Sequence, residues 1–158
     1  MTKSDLYAGI EAQLRALFAG ERDLVANAAN CSAVLYERLP EVNWVGFYFL
    51  RGEELVVGPF QGRPACIRIP LGSGVCGTAA SDRRTTRVDD VHAFAGHIAC
   101  DAASSSEIVV PLLKGERLLG VLDVDSPRRG RFDALDETGL ERIAALFAEA
   151  VEPGPLIT

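Results

Sequence analysis

The stretch EIVVPLLKGERLLGVLDVD, residues 107–125, decides the fold. Two mainly apolar runs, residues 107–113 and 117–125, flank the turn residues Lys114-Gly115-Glu116. Runs rich in Val, Ile and Leu on either side of a short glycine-containing turn are typical of a β-hairpin. Strands joined by so short a turn are antiparallel, so this stretch predicts a pair of antiparallel strands near the end of the chain.

A second hairpin is predicted upstream of the first. Residues 43–50 and 54–59 are rich in aromatic and β-branched side chains and flank Arg51-Gly52-Glu53. Short strands are expected at residues 66–69 and 86–88. Together these segments predict an antiparallel sheet.

Three other segments have a helical period. Apolar residues recur every three or four positions in residues 4–19, 21–39 and 133–151, and Ser4 is the predicted N-cap of the first helix. Residues 74–81 predict a shorter helix, and the polar residues 89–106 have no period. The order of elements predicts an α+β fold in which helices pack on one face of a central antiparallel sheet.

Length and charge exclude several classes of protein. A chain of 158 residues fits a single domain. The net charge of −6 argues against nucleic-acid binding. No apolar run approaches the roughly 20 residues of a membrane span, and the first residues lack an apolar signal core. A cytoplasmic location is therefore expected, where four cysteines are more typical of reactive or metal-binding groups than of structural disulfides.

Alternation along the strands sorts their side chains into two faces. One face is apolar and suits the helices, and the other combines aromatic and acidic residues. The apolar set is Val45, Phe47, Phe49, Ile108, Val110, Leu112, Leu118, Gly120, Leu122 and Val124. The opposite set is Trp44, Gly46, Tyr48, Glu107, Val109, Pro111, Leu119, Val121, Asp123 and Asp125.

The acidic face predicts a binding site. Glu107, Asp123 and Asp125 lie within strands, where burial of unpaired carboxylates is costly. Next to the rings of Trp44 and Tyr48 they would suit a small cationic ligand such as an amino acid. Repulsion and desolvation would raise at least one pKa, which would make a proton donor available at neutral pH. The alternative is a solvated face, as in many antiparallel sheets.

Three cysteines lie in or beside the irregular middle of the chain. Cys66, Cys76 and Cys100 have glycines or other small residues nearby, which let backbone approach a ligand closely. A cysteine attacks as the thiolate, which positive neighbours and backbone N–H groups favour. His97 is a candidate neighbour of Cys100, the alternative being a loop histidine bonded to backbone, and His92 is interpreted as structural.

A zinc site is the competing interpretation of these residues. Cys66, Cys76 and Cys100 are separated by ten and then twenty-four positions. Zinc sites usually contain closely spaced ligand pairs such as C-x₂₋₄-C, so no metal is predicted. A buried free thiol is the ordinary state of a single cysteine, and Cys31, in the apolar stripe of the second helix, is predicted to be one.

Seven segments carry a family resemblance: NWVGFY (43–48), GPFQG (58–62), PAC (64–66), GVCG (74–77), GHIACD (96–101), SSSEIVVP (104–111) and GVLDVDS (120–126). Together they resemble the free methionine-(R)-sulfoxide reductases, enzymes built on a GAF domain. The resemblance implies a single GAF domain over residues 1–158, with a ligand pocket on the sheet face opposite the helices. Ala95 departs from the family, which often has proline there.

The resemblance also implies an activity, the reduction of free L-methionine (R)-S-oxide by thiol chemistry. It places the catalytic cysteine at Cys100 and the principal resolving cysteine at Cys66, and Cys76 would be able to join disulfide exchange. It implies thioredoxin or a similar dithiol as reductant, no metal or organic cofactor, and a homodimer.

The resemblance also assigns substrate-binding roles to the residues of the acidic face. It places Trp44 and Tyr48 around the substrate methyl group, and Glu107, Asp123 and Asp125 around its polar groups. Glu107 or Asp125 is the candidate acid that protonates the departing oxygen. A non-catalytic GAF sensor of small molecules is the alternative function.

Overall fold

The computed structural model describes residues 1–96 and 103–158. Its centre is a six-stranded antiparallel sheet with the strand order β3-β2-β1-β6-β5-β4. The two predicted hairpins are therefore adjacent, because β1 of the first pairs with β6 of the second. The strands are β1 (Trp44–Arg51), β2 (Glu54–Gly62), β3 (Arg68–Pro70), β4 (Thr86–Val88), β5 (Ser106–Lys114) and β6 (Arg117–Ser126).

The described residues form three long helices, α1 (Lys3–Phe18), α2 (Leu24–Arg38) and α4 (Ala134–Ala150), and a short one, α3 (Gly74–Asp82). Two of the long helices, α2 and α4, pack on one face of this sheet, the third, α1, packs against these two helices, and the short helix borders the other face, so the predicted α+β architecture is confirmed. Within residues 1–96 and 103–158, no helix combines the length and apolar character that crossing a bilayer requires.

Two predicted boundaries are wrong at the N-terminal end. The N-cap of α1 is Thr2, not Ser4, because the Thr2 hydroxyl accepts from the Asp5 N–H while the Asp5 carboxylate accepts from the Thr2 N–H. This reciprocal pair satisfies two backbone N–H groups at the helix start. The second helix begins at Leu24, because Asp23 caps it through the Ala26 N–H.

The main core lies between the sheet and the long helices. Phe47 of β1 contacts Phe147 of α4, with ring centroids 4.6 Å apart. Cys31 of α2 is completely buried in this layer, and burial raises the pKa of its thiol. The prediction that Cys31 is a core residue is confirmed.

The assignment of β6 side chains to faces is wrong at Leu118 and Leu119. The ladder between β5 and β6 is regular from Ser106 to Leu112 and shifts beyond it, so Leu119 packs in the helical core and Leu118 in the opposite cluster. Gly120 follows this bulge with φ +149, and a Cβ there would lie 1.9 Å from the Tyr48 carbonyl oxygen. Glycine is thus required where β1 and β6 approach each other.

Candidate active site

A cavity lies on the sheet face opposite the long helices. Its walls come from β1, β5, β6, the N-terminal end of α3 and the segment before β3. Six of the predicted site residues, Cys76 among them, converge here. The lining residues include Trp44, Tyr48, Pro64, Ala65, Ser73, Gly74, Val75, Cys76, Val91, Ser104, Glu107, Asp123 and Asp125.

Strand register brings the three carboxyl groups together. Asp125 of β6 pairs with Trp44 on one side and Glu107 on the other. Asp123 occupies the next row on the same face, since alternate residues of a strand point to the same side. The two-residue alternation therefore holds in this part of β6, and the acidic cluster forms as the sequence predicts.

Asp123 is the most confined of these acids. Its side chain is only 4% exposed, and its Oδ1 has no hydrogen-bond partner within residues 1–96 and 103–158. Burial raises the pKa of Asp123 well above its usual value, and the charges of Asp125 and Glu107 raise it further. The cluster therefore holds at least one proton at neutral pH.

Stacked aromatic rings form the wall beside the acids. Trp44 stacks on Tyr48 with centroids 5.8 Å apart and on Phe60 at 5.1 Å. Its indole N–H donates to the Arg63 carbonyl at 3.0 Å, which fixes the ring plane. Gly46 leaves room for this stack, because a Cβ there would come within 2.7 Å of the Trp44 ring.

Tyr48 keeps its proton in this environment. The side chain is 3% exposed, and burial raises the pKa of its phenol far above the usual value, with Asp123 adding to the effect. Tyr48 therefore presents a neutral ring and an O–H group to the cavity.

Cys76 is a buried thiol at the end of the acidic cluster. It lies in the first turn of α3, is 5% exposed, and its Sγ donates to Glu107 Oε2 at 3.8 Å. Burial raises the pKa of this thiol well above its usual value, and Asp123 and Glu107 raise it further. Cys76 therefore stays protonated at neutral pH and is a poor nucleophile.

The N-terminus of α3 also faces the cavity. Ser73 is the N-cap residue, but its side chain makes no capping hydrogen bond. The first backbone N–H groups of an α-helix have no acceptor within the helix. Ser73, Gly74 and Val75 line the cavity, so these donors border it and favour an anionic group there.

Cys66 follows the wall residues Pro64 and Ala65 and is half-buried. The predicted strand at residues 66–69 is shorter than expected, since β3 begins at Arg68. Cys66 is disulfide-bonded, whereas Cys31 and Cys76 are free thiols. The predicted site residues Cys100 and His97 lie outside the described residues.

Several residues of the cavity and of the aromatic stack beside it were not predicted from the sequence. Phe60 completes the aromatic stack, and assigning the faces of β2 as well as β1 would have found it, because Phe60 pairs with Gly46. Val91 and Ser104 come from the irregular middle, where no period indicates orientation. His92, in a short helical turn, has an exposed side chain.

One set of side chains in the described ranges brings three metal-ligating atoms together. Atoms of Cys76, Glu107 and Asp123 all lie within 4.8 Å of one another. None of the described cavity-lining residues is a lysine or an arginine. This end of the cavity therefore favours a cationic group.

Comparisons with known proteins place this arrangement in context. The GAF domain family model matches residues 23–152. Free methionine-R-sulfoxide reductase of Escherichia coli is 54% identical over 145 residues, which cover 92% of this chain and 88% of that protein.

Two solved structures are also similar over nearly the whole chain. Free methionine-R-sulfoxide reductase from Neisseria meningitidis, solved in complex with its substrate, is 45% identical with a TM-score of 0.91 and covers 95% of this chain and 90% of its own. A putative GAF sensor protein from Burkholderia vietnamiensis is 58% identical with a TM-score of 0.93, covering 96% of both chains.

Proposed function

Because this chain belongs to the GAF-domain family of free methionine-R-sulfoxide reductases, we propose that it reduces free L-methionine (R)-S-oxide to L-methionine by cysteine chemistry. The observation that carries the proposal is the cavity itself. Buried carboxyl groups, a stacked aromatic wall and the cysteine-bearing segment meet there within reach of one small molecule.

Two parts of the cavity wall match the two charges of a free amino acid. The substrate ammonium group lies against the carboxyl cluster, where no described lining residue is a lysine or an arginine. Its carboxylate lies at the N-terminus of α3, where backbone N–H groups of Gly74 and Val75 are available. Recognition of both charges selects a free amino acid over a methionine within a polypeptide.

The aromatic wall receives the other end of the substrate. Trp44 and Tyr48 contact the S-methyl group, since contacts between sulfur and aromatic rings are mildly favourable. Together with the contacts to the ammonium and carboxylate groups, a ring fixed beside the S-methyl group holds the sulfoxide oxygen in one orientation and so selects one epimer.

Reaction begins with the Cys100 thiolate attacking the sulfoxide sulfur. The sulfur–oxygen bond of the substrate breaks, the oxygen is transferred to Cys100 as a sulfenic acid, and methionine leaves. The departing oxygen needs a proton, for which Glu107 or Asp125 is the donor. Asp123, with its raised pKa, supplies the cluster with a proton to share.

The second half of the cycle returns the enzyme to its thiol form. Cys66 attacks the sulfenic acid of Cys100, which releases water and forms a disulfide. A dithiol reductant, thioredoxin, reopens this disulfide by exchange and is itself oxidised. The disulfide-bonded state of Cys66 supports its role as the cysteine that resolves the sulfenic acid.

Cys76 has a secondary role in the proposed reaction. Cys76 contributes a neutral thiol beside Glu107 and joins disulfide exchange only after losing its proton.

No metal or organic cofactor takes part in the proposed reaction. The enzyme acts as a homodimer in the cytoplasm, where thiol reductants regenerate it.

The redox state of Cys66 bears on one wall of the cavity. Pro64 and Ala65 form part of this wall, and the disulfide at the adjacent Cys66 restrains that segment. Reduction frees the segment, so we infer that substrate enters more readily when the enzyme is reduced.

A thioredoxin-coupled assay of NADPH oxidation with each epimer of free methionine sulfoxide tests this function. Oxidation with the R epimer alone is the expected result. No NADPH oxidation with either epimer, together with tight binding of another small molecule, would favour the sensor function instead.

A further inference from the structure

We propose that Cys76, Glu107 and Asp123 form a binding site for a thiophilic divalent cation of the Zn²⁺ class. Such a cation would occupy the substrate cavity and inhibit the enzyme. The inhibitory consequence rests on the proposed function, whereas binding of the cation does not.

The donor set is the first observation. One sulfur and two carboxylate oxygens lie within 4.8 Å of one another, and the Cys76 Sγ to Glu107 Oε2 distance is 3.8 Å. Bond lengths of about 2.3 Å to sulfur and 2.0–2.2 Å to oxygen place donors of a tetrahedral zinc site roughly 3.5 Å apart. Small side-chain rotations would close the remaining gap.

The state of Asp123 is an independent observation. The side chain is 4% exposed and lines the cavity, yet its Oδ1 has no hydrogen-bond partner within the two described ranges. A buried polar atom of this kind is rare in folded proteins without a ligand, ion or water to satisfy it. A cation bound between Cys76 and Glu107 would supply that partner.

The surroundings suit a small cation. The cavity of about 60 Å³ has room for an ion with its water ligands. No lysine or arginine among the described lining residues competes for the carboxylates. The thiolate selects Zn²⁺ or Cd²⁺ over Mg²⁺ or Ca²⁺, which prefer oxygen ligands alone.

Binding exchanges protons for the metal. The Cys76 S–H bond breaks, sulfur ligates the cation, and the thiol proton passes to the buffer together with any proton held between the carboxyl groups. Three protein ligands leave the fourth position to water, as in zinc sites that are open to solvent. No electron transfer takes place, so a chelator reverses the process.

Calorimetric titration with ZnCl₂ tests the proposal, in a Cys66→Ser/Cys100→Ser background that removes both loop thiols. We expect one Zn²⁺ per chain with proton release to the buffer. Affinity should fall at least tenfold on adding Cys76→Ser and stay unchanged on adding Cys31→Ser, the matched thiol control. Asp123→Asn is a second variant, expected to weaken binding if Cys76→Ser does not fold.

Absence of saturable Zn²⁺ binding would overturn the proposal, as would equal affinity in the Cys76→Ser or Asp123→Asn variant. In the wild-type enzyme, Zn²⁺ should lower the rate of methionine release, and a chelator should restore it. A protein that binds Zn²⁺ but reduces neither epimer would refute the proposed function alone.

Discussion

Glu107 of β5 lies directly opposite Asp125 of β6, so two carboxyl groups face each other across adjacent strands on the sheet face that carries the cavity. Like charges directly opposite in a sheet are destabilising. Asp123 occupies the next row and is almost completely buried. The fold thus maintains an unfavourable cluster, which is what a site for a cationic group and a shared proton requires.

The acid that protonates the departing oxygen is tested by Glu107→Gln and Asp125→Asn. Whichever residue is the donor, its neutral amide should slow single-turnover methionine release about 100-fold, since general acids contribute on that scale. Glu54→Gln, which removes an exposed carboxylate paired with Arg68, should leave the rate unchanged. Rates near wild type in both site variants would exclude both residues as the acid.

Trp44→Phe tests the aromatic wall. The change removes the indole N–H bond to Arg63 and part of the stacking on Tyr48 and Phe60. We expect KM for the R epimer to rise about tenfold, or roughly 1.4 kcal/mol. Phe47→Leu, on the opposite face of the same strand, should lower the melting temperature and leave KM unchanged; an unaltered KM in Trp44→Phe would be inconsistent with substrate contact.

Asp123→Asn should stabilise the protein while impairing its activity. A buried acid with a raised pKa must take up a proton or hold an uncompensated charge when the protein folds at neutral pH, and a neutral amide avoids both costs. We therefore expect a gain of about 1 kcal/mol, or roughly 3 °C in Tm. Thermal unfolding at neutral pH in the presence of a chelator measures it. Glu53→Gln removes an exposed charge and should have no comparable effect; a lower Tm for Asp123→Asn would mean that the cluster is not strained.

Asp133 should make stability depend on acid pH. The Lys3 ammonium lies 2.9 Å from Asp133 Oδ2, and this hydrogen bond lowers the pKa of the carboxyl from 3.8 to about 2. A lowered folded-state pKa stabilises the fold above pH 3.8, and this contribution is lost as pH falls through about 2. The effect is small, because the Asp133 side chain is 56% exposed.

Asp133→Asn keeps a helix-capping oxygen but not the charge, so its stability should fall less steeply between pH 4 and 2 than that of the wild type. Chemical unfolding at several pH values measures this slope. Asp82→Asn, at the exposed end of α3, is the control for loss of a carboxylate. Identical slopes for wild type and Asp133→Asn would show that the Lys3 contact contributes nothing.

The sequence predicts the acidic face because strand alternation is a local property. Trp44 and Tyr48 lie two rows apart on β1, and Asp123 and Asp125 follow the same rule on β6. The rule fails at Leu118 and Leu119, where a bulge lies next to the close approach of β1 to Gly120. That approach is a tertiary contact, and periodicity in one strand carries no information about it.

The position of Cys76 also depends on tertiary contacts that the sequence pattern does not predict. Its glycine-rich neighbourhood predicts close backbone approach, but its burial against Glu107 depends on where α3 packs. Phe60 enters the aromatic stack through the pairing of β2 with β1, which likewise no single segment specifies. The sequence thus predicts which residues have reactive or binding side chains, but only the folded structure shows which residues they contact.

Single-turnover release of methionine from reduced protein, with no added reductant, tests the central claim most directly. The reduced Cys66→Ser variant should release one equivalent from free methionine (R)-sulfoxide and then stop, and the reduced Cys100→Ser variant should release none. Release of a full equivalent by Cys100→Ser would contradict the account, because another group would then be attacking the sulfur.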